Sequence, residues 1–333
     1  MKIVCFHLNQ VGDLAFSLPA LKCIRDSYPE AHITSVVRPA LAELLEASGL
    51  VHEVLRRSSG LNAAKLRLVR CLITGNFDMA VVFSQSAECA LLARLSRAKA
   101  RIGFDDTSLG WLLTKRVPFV HPPSTANNLR LVEACGCRIT RQDYVGLLKP
   151  VSSKIEETKE LLASYGVGEN DKIIALSPGT SGRRRLKEWT DEGFATVARH
   201  VIGRGMHAVV LGAAPVPRIV EECPQIIDLC GKTTLAEAVA ILSRCETLVA
   251  VDSGILHLAA ALGKRVIGLY GPSDPGVTGP QGTGHVVLTA GVECSPCSQE
   301  GCKNQRQCMT NIDPGWVIKA VDTVLDSRAS CDL

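Results

Sequence analysis

Asp252, Ser253 and Gly254 are the residues of this chain whose types and spacing most clearly suggest chemistry. They follow residues 247–251 (TLVAV), an apolar and β-branched run that predicts a buried parallel strand. From Ile255 the apolar residues recur at helical spacing, so a helix is predicted directly after the turn. Such a turn can cap the free N–H groups of the helix, or those N–H groups and the helix dipole can hold a phosphate. The local pattern leaves these two interpretations open.

His257 lies about one turn inside the predicted helix, on a face that can look back at a ligand in the turn. Gly263 is placed to end that helix, and residues 265–270 form a second apolar run that Gly271 stops. A strand, a helix and a strand joined by such short turns predict a parallel sheet, which binds ligands at the carboxyl ends of its strands. His257 is therefore either a ligand-facing residue or a histidine satisfied within the core.

A second loop combines small residues with cations. Residues 177–182 (SPGTSG) follow a predicted strand, and the basic run 183–187 (RRRLK) comes next. A diphosphate leaving group needs N–H donors, compensating positive charge and hydroxyl groups such as those of Thr180 and Ser181. A basic run on the protein surface is the alternative interpretation.

Asp13 ends a glycine-containing loop between a predicted first strand, residues 2–8, and a predicted helix over residues 14–28. This position points the carboxylate at the mouth of the sheet. Pro19 lies inside the helical pattern, so we expect the helix either to kink or to begin late. The residues alone favour Asp13 as the N-cap of this helix.

Three stretches carry a resemblance to one family. Residues 251–275 (VDSGILHLAAALGKRVIGLYGPSDP) are similar to the signature of glycosyltransferase family 9, the heptosyltransferases of lipopolysaccharide core assembly. Residues 7–21 (HLNQVGDLAFSLPAL) resemble the opening motif of that family, and residues 186–189 (LKEW) resemble its phosphate-contacting segment. The resemblance spans nearly the whole chain and implies the GT-B fold.

The resemblance implies a role for each of these residues. Asp13 is the implied general base, a carboxylate that takes the proton of an acceptor hydroxyl as that oxygen attacks the anomeric carbon. Lys187 is the implied contact to the donor phosphates. The other residues expected at the donor phosphates are Thr180, Ser181, Ser253 and Gly254. Those expected at the rest of the nucleotide-sugar are Gly212, Asp252 and His257.

Strand-like and helical runs alternate twice along the chain, which predicts an α/β fold of two doubly wound domains. The first alternation covers residues 1–150, and the second covers residues 171–312. The polar segment 151–170 between them has a predicted helix in its middle and fits a linker. In the GT-B fold that the resemblance implies, two Rossmann-like domains face each other across a cleft. The N-terminal domain takes the acceptor and the C-terminal domain takes the nucleotide-sugar. Residues 313–333 contain a helix that we expect to cross back to the first domain.

The charge of the chain is unevenly distributed. Residues 1–150 hold 19 Lys and Arg against 12 Asp and Glu, a net +7, whereas the remainder carries −3. A solvated face explains this excess simply, and an anionic acceptor or an anionic membrane surface explains it more specifically. We expect no nucleic acid partner, because aromatic residues make up only 4% of the chain and offer few stacking platforms.

The chain shows no predicted membrane span, since no apolar run reaches the roughly 18 residues required. Polar residues interrupt the apolar stretch at the N-terminus, which therefore does not resemble a signal peptide. We expect a cytoplasmic protein with, at most, peripheral contact to the inner face of the inner membrane.

Most of the 14 cysteines lie singly in apolar patterns, where a small buried side chain is the default interpretation. Four are grouped as C-x2-C-x4-C-x5-C, namely Cys294, Cys297, Cys302 and Cys308. Such a group could hold zinc or an iron–sulfur cluster, but it lacks the longer separation of a two-knuckle zinc site. We expect reduced structural thiols there, and neither a metal nor a cofactor in the chemistry.

The leading functional hypothesis is an inverting, metal-independent glycosyltransferase. It moves heptose or a similar sugar from a nucleotide diphosphate sugar, with ADP-heptose the first choice, to an anionic lipopolysaccharide-core acceptor. The alternatives are an isomerase resembling nucleotide-sugar 2-epimerases and a non-catalytic carbohydrate-binding relative. Asp13 and the basic first half favour transfer. The identity of the nucleotide base in the donor stays open. The family often has an acidic residue, suited to the ribose hydroxyls, shortly after the strand that corresponds to residues 209–212, and here no acidic residue follows until Glu221.

Overall fold

The protein divides into two compact units, Met1–Lys149 and Pro150–Leu333. The computed structural model describes residues 1–7, 10–60, 62–120, 124–180, 184–297, 299 and 301–329. Ser181, one of the residues expected at the donor phosphates, lies outside the described residues.

The first unit is a six-stranded parallel sheet with helices between successive strands. Its strands are β1 (Lys2–Phe6), β2 (His32–Val37), β3 (Glu53–Arg56), β4 (Met79–Val82), β5 (Ala100–Phe104) and β6 (Lys115–Val117). Its helices are α1 (Val11–Ser27), α2 (Pro39–Ser48), α3 (Ala63–Thr74), α4 (Ala87–Leu95) and α5 (Ser124–Ala134), with a 3-10 helix at Gly110–Leu112.

The strand order of this sheet is β3-β2-β1-β4-β5-β6. The chain therefore runs outward from β1 in one direction and then returns to start again at β4. β1 pairs with both β2 and β4 in parallel, so the order reverses between β1 and β4. The crevice outside the carboxyl ends of the strands at such a reversal is where open α/β sheets bind ligands. β1 ends at this point, and Asp13 lies in the first turn of the next helix, α1.

The second unit repeats the architecture. Its strands are β7 (Ile173–Ser177), β8 (His207–Val210), β9 (Ile227–Asp228), β10 (Thr247–Val251), β11 (Val266–Tyr270) and β12 (Val286–Thr289). Its helices are α6 (Ser152–Ser164), α7 (Asp191–Gly203), α8 (Pro217–Glu222), α9 (Leu235–Arg244), α10 (Gly254–Ala261), α11 (Pro275–Thr278), α12 (Gln307–Thr310) and α13 (Pro314–Ala329), with a 3-10 helix at Arg185–Lys187.

The order of the second sheet is β12-β11-β10-β7-β8-β9, which is the same arrangement counted from β7. Here the reversal lies between β7 and β10, which pair in parallel with Ala250 opposite Ser177. The loops that follow these two strands contain Thr180 and the Asp252–Gly254 turn. The predicted fold class, two doubly wound α/β sheets, is confirmed.

Each sheet is covered by helices whose apolar faces form the core. In the first unit Leu68 and Leu72 of α3 and Leu92 of α4 pack on Val4 and Ala80 of the central strands.

Helix α1 is buried along residues 14–21 and continues through Pro19. Asn128 of α5 donates a hydrogen bond to the carbonyl of Phe16 in the turn that precedes Pro19. Pro19 lacks the N–H group that would bond the carbonyl of Ala15, so the helix continues through it with one backbone hydrogen bond missing.

One expectation about an element boundary needs correction. Helix α1 begins at Val11 and not at residue 14, so Pro19 falls inside an early-starting helix. The helix expected in the middle of segment 151–170 is α6, which packs against α9 of the second unit, with Leu162 buried. Helix α13 packs on α7, β10, β11 and β12, where Val317 and Val321 join the core of the second unit. The expected crossing of residues 313–333 back to the first domain stays a prediction.

Among the described residues, no helix is both long enough and apolar enough to cross a membrane.

Candidate active site

The centre of the second unit's site is an ion pair at the reversal of its sheet. Lys187 ends the 3-10 helix after β7, and its Nζ atom lies 2.5 Å from Oδ2 of Asp252, directly after β10. Lys187 is 3% exposed and Asp252 is 6% exposed. Two charged side chains this deeply buried require close mutual compensation, because each loses its hydration. Residues 65 positions apart in the sequence thus meet where the sheet binds ligands.

Asp252 also lies close to Thr278 and His257. Thr278 of α11 donates a hydrogen bond to Oδ2 at 3.3 Å, and Nε2 of His257 lies 3.7 Å from Oδ1. Burial raises the pKa of Asp252, but the hydrogen bond of His257 and the charge and hydrogen bond of Lys187 outweigh that effect. The net result is a pKa well below the usual range of an aspartate, so the carboxylate stays ionised at neutral pH.

The start of α10 was predicted either to be capped by the turn residues or to hold a phosphate. Ser253 occupies the N-cap position with an extended backbone, but its side chain makes no capping hydrogen bond. Its Oγ atom is buried and has no hydrogen-bond partner among the described residues. The first N–H groups of α10, beginning at Gly254, are therefore left without the cap that Ser253 could have supplied.

Helix α9 shows the contrasting case within the same unit. Thr234 accepts a hydrogen bond from the backbone N–H of Glu237, and the Glu237 carboxylate accepts one from the backbone N–H of Thr234. This is a complete capping box, which satisfies donors at both positions. Thr234 and Glu237 thus begin this helix by satisfying its first backbone groups.

Lys187 is positioned by the residues that follow it. Trp189 is buried against Phe194 and donates from Nε1 to the carbonyl of Ile312 at 3.1 Å. Arg306 donates to the carbonyl of Glu188 at 2.9 Å. Thr180 donates to the Glu188 carboxylate at 3.3 Å, which ties the loop after β7 to the same segment. In residues 186–189, Lys187 therefore supplies the charge, and the buried indole of Trp189 fixes the backbone beside it.

Gly212 follows β8, the neighbour of β7 in the sheet. Its carbonyl accepts a hydrogen bond from the N–H of Gly231 at 2.8 Å. A Cβ atom at this position would lie 3.1 Å from the sulfur of Cys230, so a larger residue would crowd that side chain. The backbone at the carboxyl end of β8 is thus held close to the segment after β9.

In the first unit, Asp13 lies in the first turn of α1 and is partly exposed. The N-cap of α1 is Gln10, so the interpretation of Asp13 as the N-cap is wrong. It is the third residue of the helix, where the dipole favours the ionised carboxylate. An ionised carboxylate is the form that can accept a proton.

His7 fixes the end of β1 relative to α1. It is buried, and its two ring nitrogens lie 3.1 Å from Ser17 Oγ and 3.1 Å from Ser35 Oγ. Ser17 is one helical turn beyond Asp13 on α1. Burial and the charge of Arg57 lower the pKa of His7 to about 3, so the imidazole is neutral. His7 belongs to the opening motif, but its role was not predicted: it is a buried, neutral side chain that links the end of β1 to α1 and β2.

A charged cluster that was not predicted lies at the carboxyl edge of the first sheet. Arg57, which follows β3, is buried and its Nη1 atom lies 2.5 Å from Oε2 of Glu88. Lys65 of α3 contacts the other carboxylate oxygen of Glu88. The three side chains carry a net charge of +1, which gives this edge a fixed positive character. The Arg56-Arg57 pair at the end of a strand was the available sequence signal.

The cysteines of the described residues are all free. Cys308 is buried, whereas Cys294, Cys297 and Cys302 are exposed. Burial raises the pKa of Cys308, and the three neighbouring cysteines raise it further. In the part of the chain that the structure describes, no group of three or more His, Cys, Asp or Glu side chains is arranged to hold a metal ion.

The family model of glycosyltransferase family 9 (heptosyltransferase) matches residues 65–307. The chain belongs to glycosyltransferase family 9. It is accordingly a glycosyltransferase, as predicted, which decides against the isomerase and the non-catalytic relative. The match includes Lys187 and Asp252 and begins after Asp13.

Relatives of this family 9 protein match over most of its length. The lipopolysaccharide heptosyltransferase 2 of Salmonella typhimurium is 28% identical over 84% of this chain and 85% of its own. The structure of the E. coli ADP-heptose lipopolysaccharide heptosyltransferase II superposes with a TM-score of 0.82 at 22% identity, covering 99% and 100% of the two chains. A family 9 glycosyltransferase from Veillonella parvula superposes with a TM-score of 0.87 at 22% identity, covering 98% and 97%. The GT-B fold that the sequence implied is confirmed.

The structure brings together Lys187, Asp252, His257, Ser253 and Gly254 at one edge of the second sheet. Thr180 joins the same segment through Glu188, and Gly212 lies at the end of the neighbouring strand β8. Asp13 stands at the corresponding edge of the first sheet. Each unit thus presents its predicted residues at the position where its own strand order reverses.

Proposed function

We propose that this glycosyltransferase moves heptose from ADP-heptose to a hydroxyl group of a lipopolysaccharide-core acceptor, with inversion at the anomeric carbon. The observation that carries the proposal is the buried Lys187–Asp252 pair beside the uncapped start of α10. A positive side chain and free helix N–H groups at the carboxyl edge of a sheet are suited to a diphosphate. The protein itself then supplies the charge compensation for the leaving group.

Donor binding works through Lys187. One of the three donors of its ammonium group contacts Asp252, and in the proposed complex the others bind phosphate oxygens. Asp252 and Trp189 hold the lysine in place before the donor arrives, so little ordering is required on binding. As the bond between the anomeric carbon and the diphosphate oxygen breaks, negative charge grows on that oxygen. Lys187, the Ser253 hydroxyl and the α10 N–H groups stabilise it.

Activation of the acceptor works through Asp13. The acceptor hydroxyl oxygen attacks the anomeric carbon, the hydroxyl proton passes to the Asp13 carboxylate, and ADP departs from the opposite side. One carbon–oxygen bond forms and one breaks, which inverts the anomeric configuration. The helix dipole has two opposed effects on Asp13. It keeps the carboxylate ionised, and it also makes that carboxylate a weaker proton acceptor.

The names of the relatives support the choice of substrates. The E. coli protein of the same fold is named for ADP-heptose and lipopolysaccharide, and the Salmonella relative for lipopolysaccharide. The positive first unit, with a net charge of +7 over residues 1–150, suits an acceptor that carries phosphate or carboxylate groups. The proposal places the reaction in the cytoplasm, with peripheral contact to the inner face of the membrane that holds a lipid-linked acceptor.

The test is a transfer assay with purified protein, ADP-heptose and lipopolysaccharide-core acceptors of increasing length. The expected result is release of ADP that requires an acceptor, with a new glycosidic bond whose anomeric configuration is opposite to that of the donor. Conversion of the nucleotide-sugar without acceptor would overturn transfer in favour of isomerisation. Thermal shifts with ADP-, GDP- and UDP-sugars independently test which nucleotide base the protein prefers, because a ligand that binds only the folded state raises its stability.

A further inference from the structure

The outer side of α3 and α4, together with the 3-10 helix Gly110–Leu112, forms one surface of the first unit. α3 packs against α4, and α4 packs against the 3-10 helix. The inner residues of both α-helices are in the core, so their opposite faces point to solvent. We call this the α3–α4 surface, and its members are Leu66, Arg67, Arg70, Leu91, Arg94 and Trp111.

The apolar members of the α3–α4 surface are unusually exposed. Trp111 is 76% exposed, Leu66 is 69% exposed and Leu91 is 47% exposed. They come from three adjacent elements, so they are not a single misplaced side chain. Isolated apolar residues on a surface are ordinary, but a tryptophan and two leucines on one face indicate an interaction site.

The polar members of the same surface are all cationic. Helix α3 contains no Asp or Glu over residues 63–74. Arg67, Arg70 and Arg94 are exposed, and within the described part of the chain none of them pairs with a carboxylate. The acidic residue of α4, Glu88, is already engaged by Arg57 and Lys65. The positive charge of this surface is therefore not neutralised by the protein itself.

Arg70 lies three residues from Arg67 and four from Leu66 on α3, and Arg94 lies three residues from Leu91 on α4. Residues at these spacings are neighbours on a helix surface, so apolar and cationic side chains are interleaved along each helix. This is the pattern of helices that lie flat in a membrane interface, with apolar side chains inserted and cations at the phosphates. Tryptophan is the side chain most typical of that depth, because its ring is apolar and its N–H group is polar.

We propose that the α3–α4 surface docks on an anionic phospholipid bilayer, with Trp111, Leu66 and Leu91 entering the interface and the arginines binding lipid phosphates. This inference rests on the proposed function in one respect: docking brings the first unit to the membrane in which the proposed lipid-linked acceptor is embedded. The interleaving of arginines with apolar side chains favours a bilayer over a soluble protein partner, because protein interfaces place apolar residues at the centre and charged residues at the rim.

The test is sedimentation of the full chain with vesicles of phosphatidylcholine, with and without phosphatidylglycerol. The protein should bind only the anionic vesicles, and Trp111→Ala should weaken binding by about tenfold or more, since the indole contributes interfacial area. Arg67→Glu/Arg70→Glu should abolish binding. The matched controls are Trp316→Ala, an exposed tryptophan of α13, and Arg138→Glu/Lys149→Glu, an exposed pair elsewhere in the first unit. Both should bind as the parent does.

Two results would overturn the docking proposal. One is a parent protein that does not bind anionic vesicles. The other is binding that the charge reversal removes but that Trp111→Ala and Leu66→Ala leave unchanged, which indicates a purely ionic surface suited to an acidic soluble partner. Melting temperatures equal to the parent's confirm that these exposed substitutions leave the fold intact.

A second assay separates docking from catalysis. On a lipid-free core oligosaccharide, Trp111→Ala should transfer sugar at the parent rate, whereas on an acceptor embedded in anionic vesicles it should be slower. Equal rates in both settings would count against docking and leave the transferase proposal standing. A parent that transfers sugar to neither acceptor would remove the proposed function, while vesicle binding would still be measured independently.

Discussion

Lys187 Nζ lies 2.5 Å from Asp252 Oδ2, and both side chains are buried at the edge of the second sheet. The pair joins the segment after β7 to the turn after β10, across the point where the strand order reverses. Because an isolated buried charge is costly, each residue needs the other for stability, in addition to any role toward a ligand. Substitutions at these positions must therefore be designed to separate the two effects.

Lys187→Gln should weaken the binding of ADP by about 10- to 100-fold, because a charge-assisted hydrogen bond to phosphate contributes about 1.5–3 kcal/mol. The amide can still donate to Asp252, so the pair is not left wholly uncompensated. Isothermal titration calorimetry with ADP measures the effect, and thermal melting measures the stability of the same sample. Lys172→Gln, at an exposed position just before β7, is the control and should bind ADP as the parent does. Unaltered ADP affinity in a folded Lys187→Gln protein would remove Lys187 from the donor site.

Ser253→Ala should weaken ADP binding without lowering stability. The Oγ atom is buried and unpartnered within the described residues, so its removal relieves a desolvated hydroxyl while deleting a donor to the diphosphate. Thr234→Ala is the informative comparison, since it removes a real cap and should cost about 1 kcal/mol of unfolding free energy. Denaturant unfolding of both variants and calorimetry of Ser253→Ala measure these effects. A loss of stability in Ser253→Ala as large as that in Thr234→Ala would show that Ser253 acts as a cap.

His7 should make the stability of the protein pH-dependent below neutrality. Its pKa is lowered to about 3 in the folded state, against about 6.5 when unfolded, so the folded state disfavours the charged imidazole. The stability linked to the neutral form is complete above pH 6.5 and is lost as the pH falls toward 3. Between pH 7.5 and pH 5 this loss amounts to about 2 kcal/mol for the single group.

The measurement for His7 is the free energy of unfolding at pH 7.5 and pH 5 for the parent and for His7→Asn. The asparagine cannot titrate, so the fall over this range should be about 2 kcal/mol smaller in the variant than in the parent. Equal slopes in both proteins would show that His7 is not held neutral by the fold.

Much of the fold could be predicted because apolar periodicity reports burial directly. The run 247–251 is buried throughout as β10, and Gly263 ends α10 with a φ of 83° that favours glycine. The failure at α1 has a tertiary cause. Pro19 suggested a kink or a late helix start, but packing of α1 against α5 overrides that local signal.

The site was less predictable, because its decisive contacts join distant residues. Motif similarity singled out Lys187 and Asp252 separately, but nothing in the sequence showed that they form a buried pair with each other. The same limit applies to Arg57 and Glu88, whose contact depends on the packing of α4 beside the end of β3. Ser253 and Thr234 both look like N-caps in sequence, and the structure shows a capping bond at only the second.

Asp13→Asn tests the general base most directly. The amide is nearly isosteric with the carboxylate, and the N-cap of α1 is Gln10, so the substitution does not replace the N-cap residue. Losing the favourable charge–dipole interaction in the first turn should cost about 0.3–1 kcal/mol of stability at most. An amide cannot accept the proton of the acceptor hydroxyl, however, and general-base assistance is typically worth about 10²–10⁴ in rate. Single-turnover transfer should therefore fall by that factor while ADP affinity and melting temperature stay close to those of the parent. Glu30→Gln, an exposed carboxylate just beyond α1, serves as the control for a lost negative charge and should transfer at the parent rate. A folded Asp13→Asn protein that transfers sugar as fast as the parent would leave Asp13 with only its electrostatic role at the start of α1.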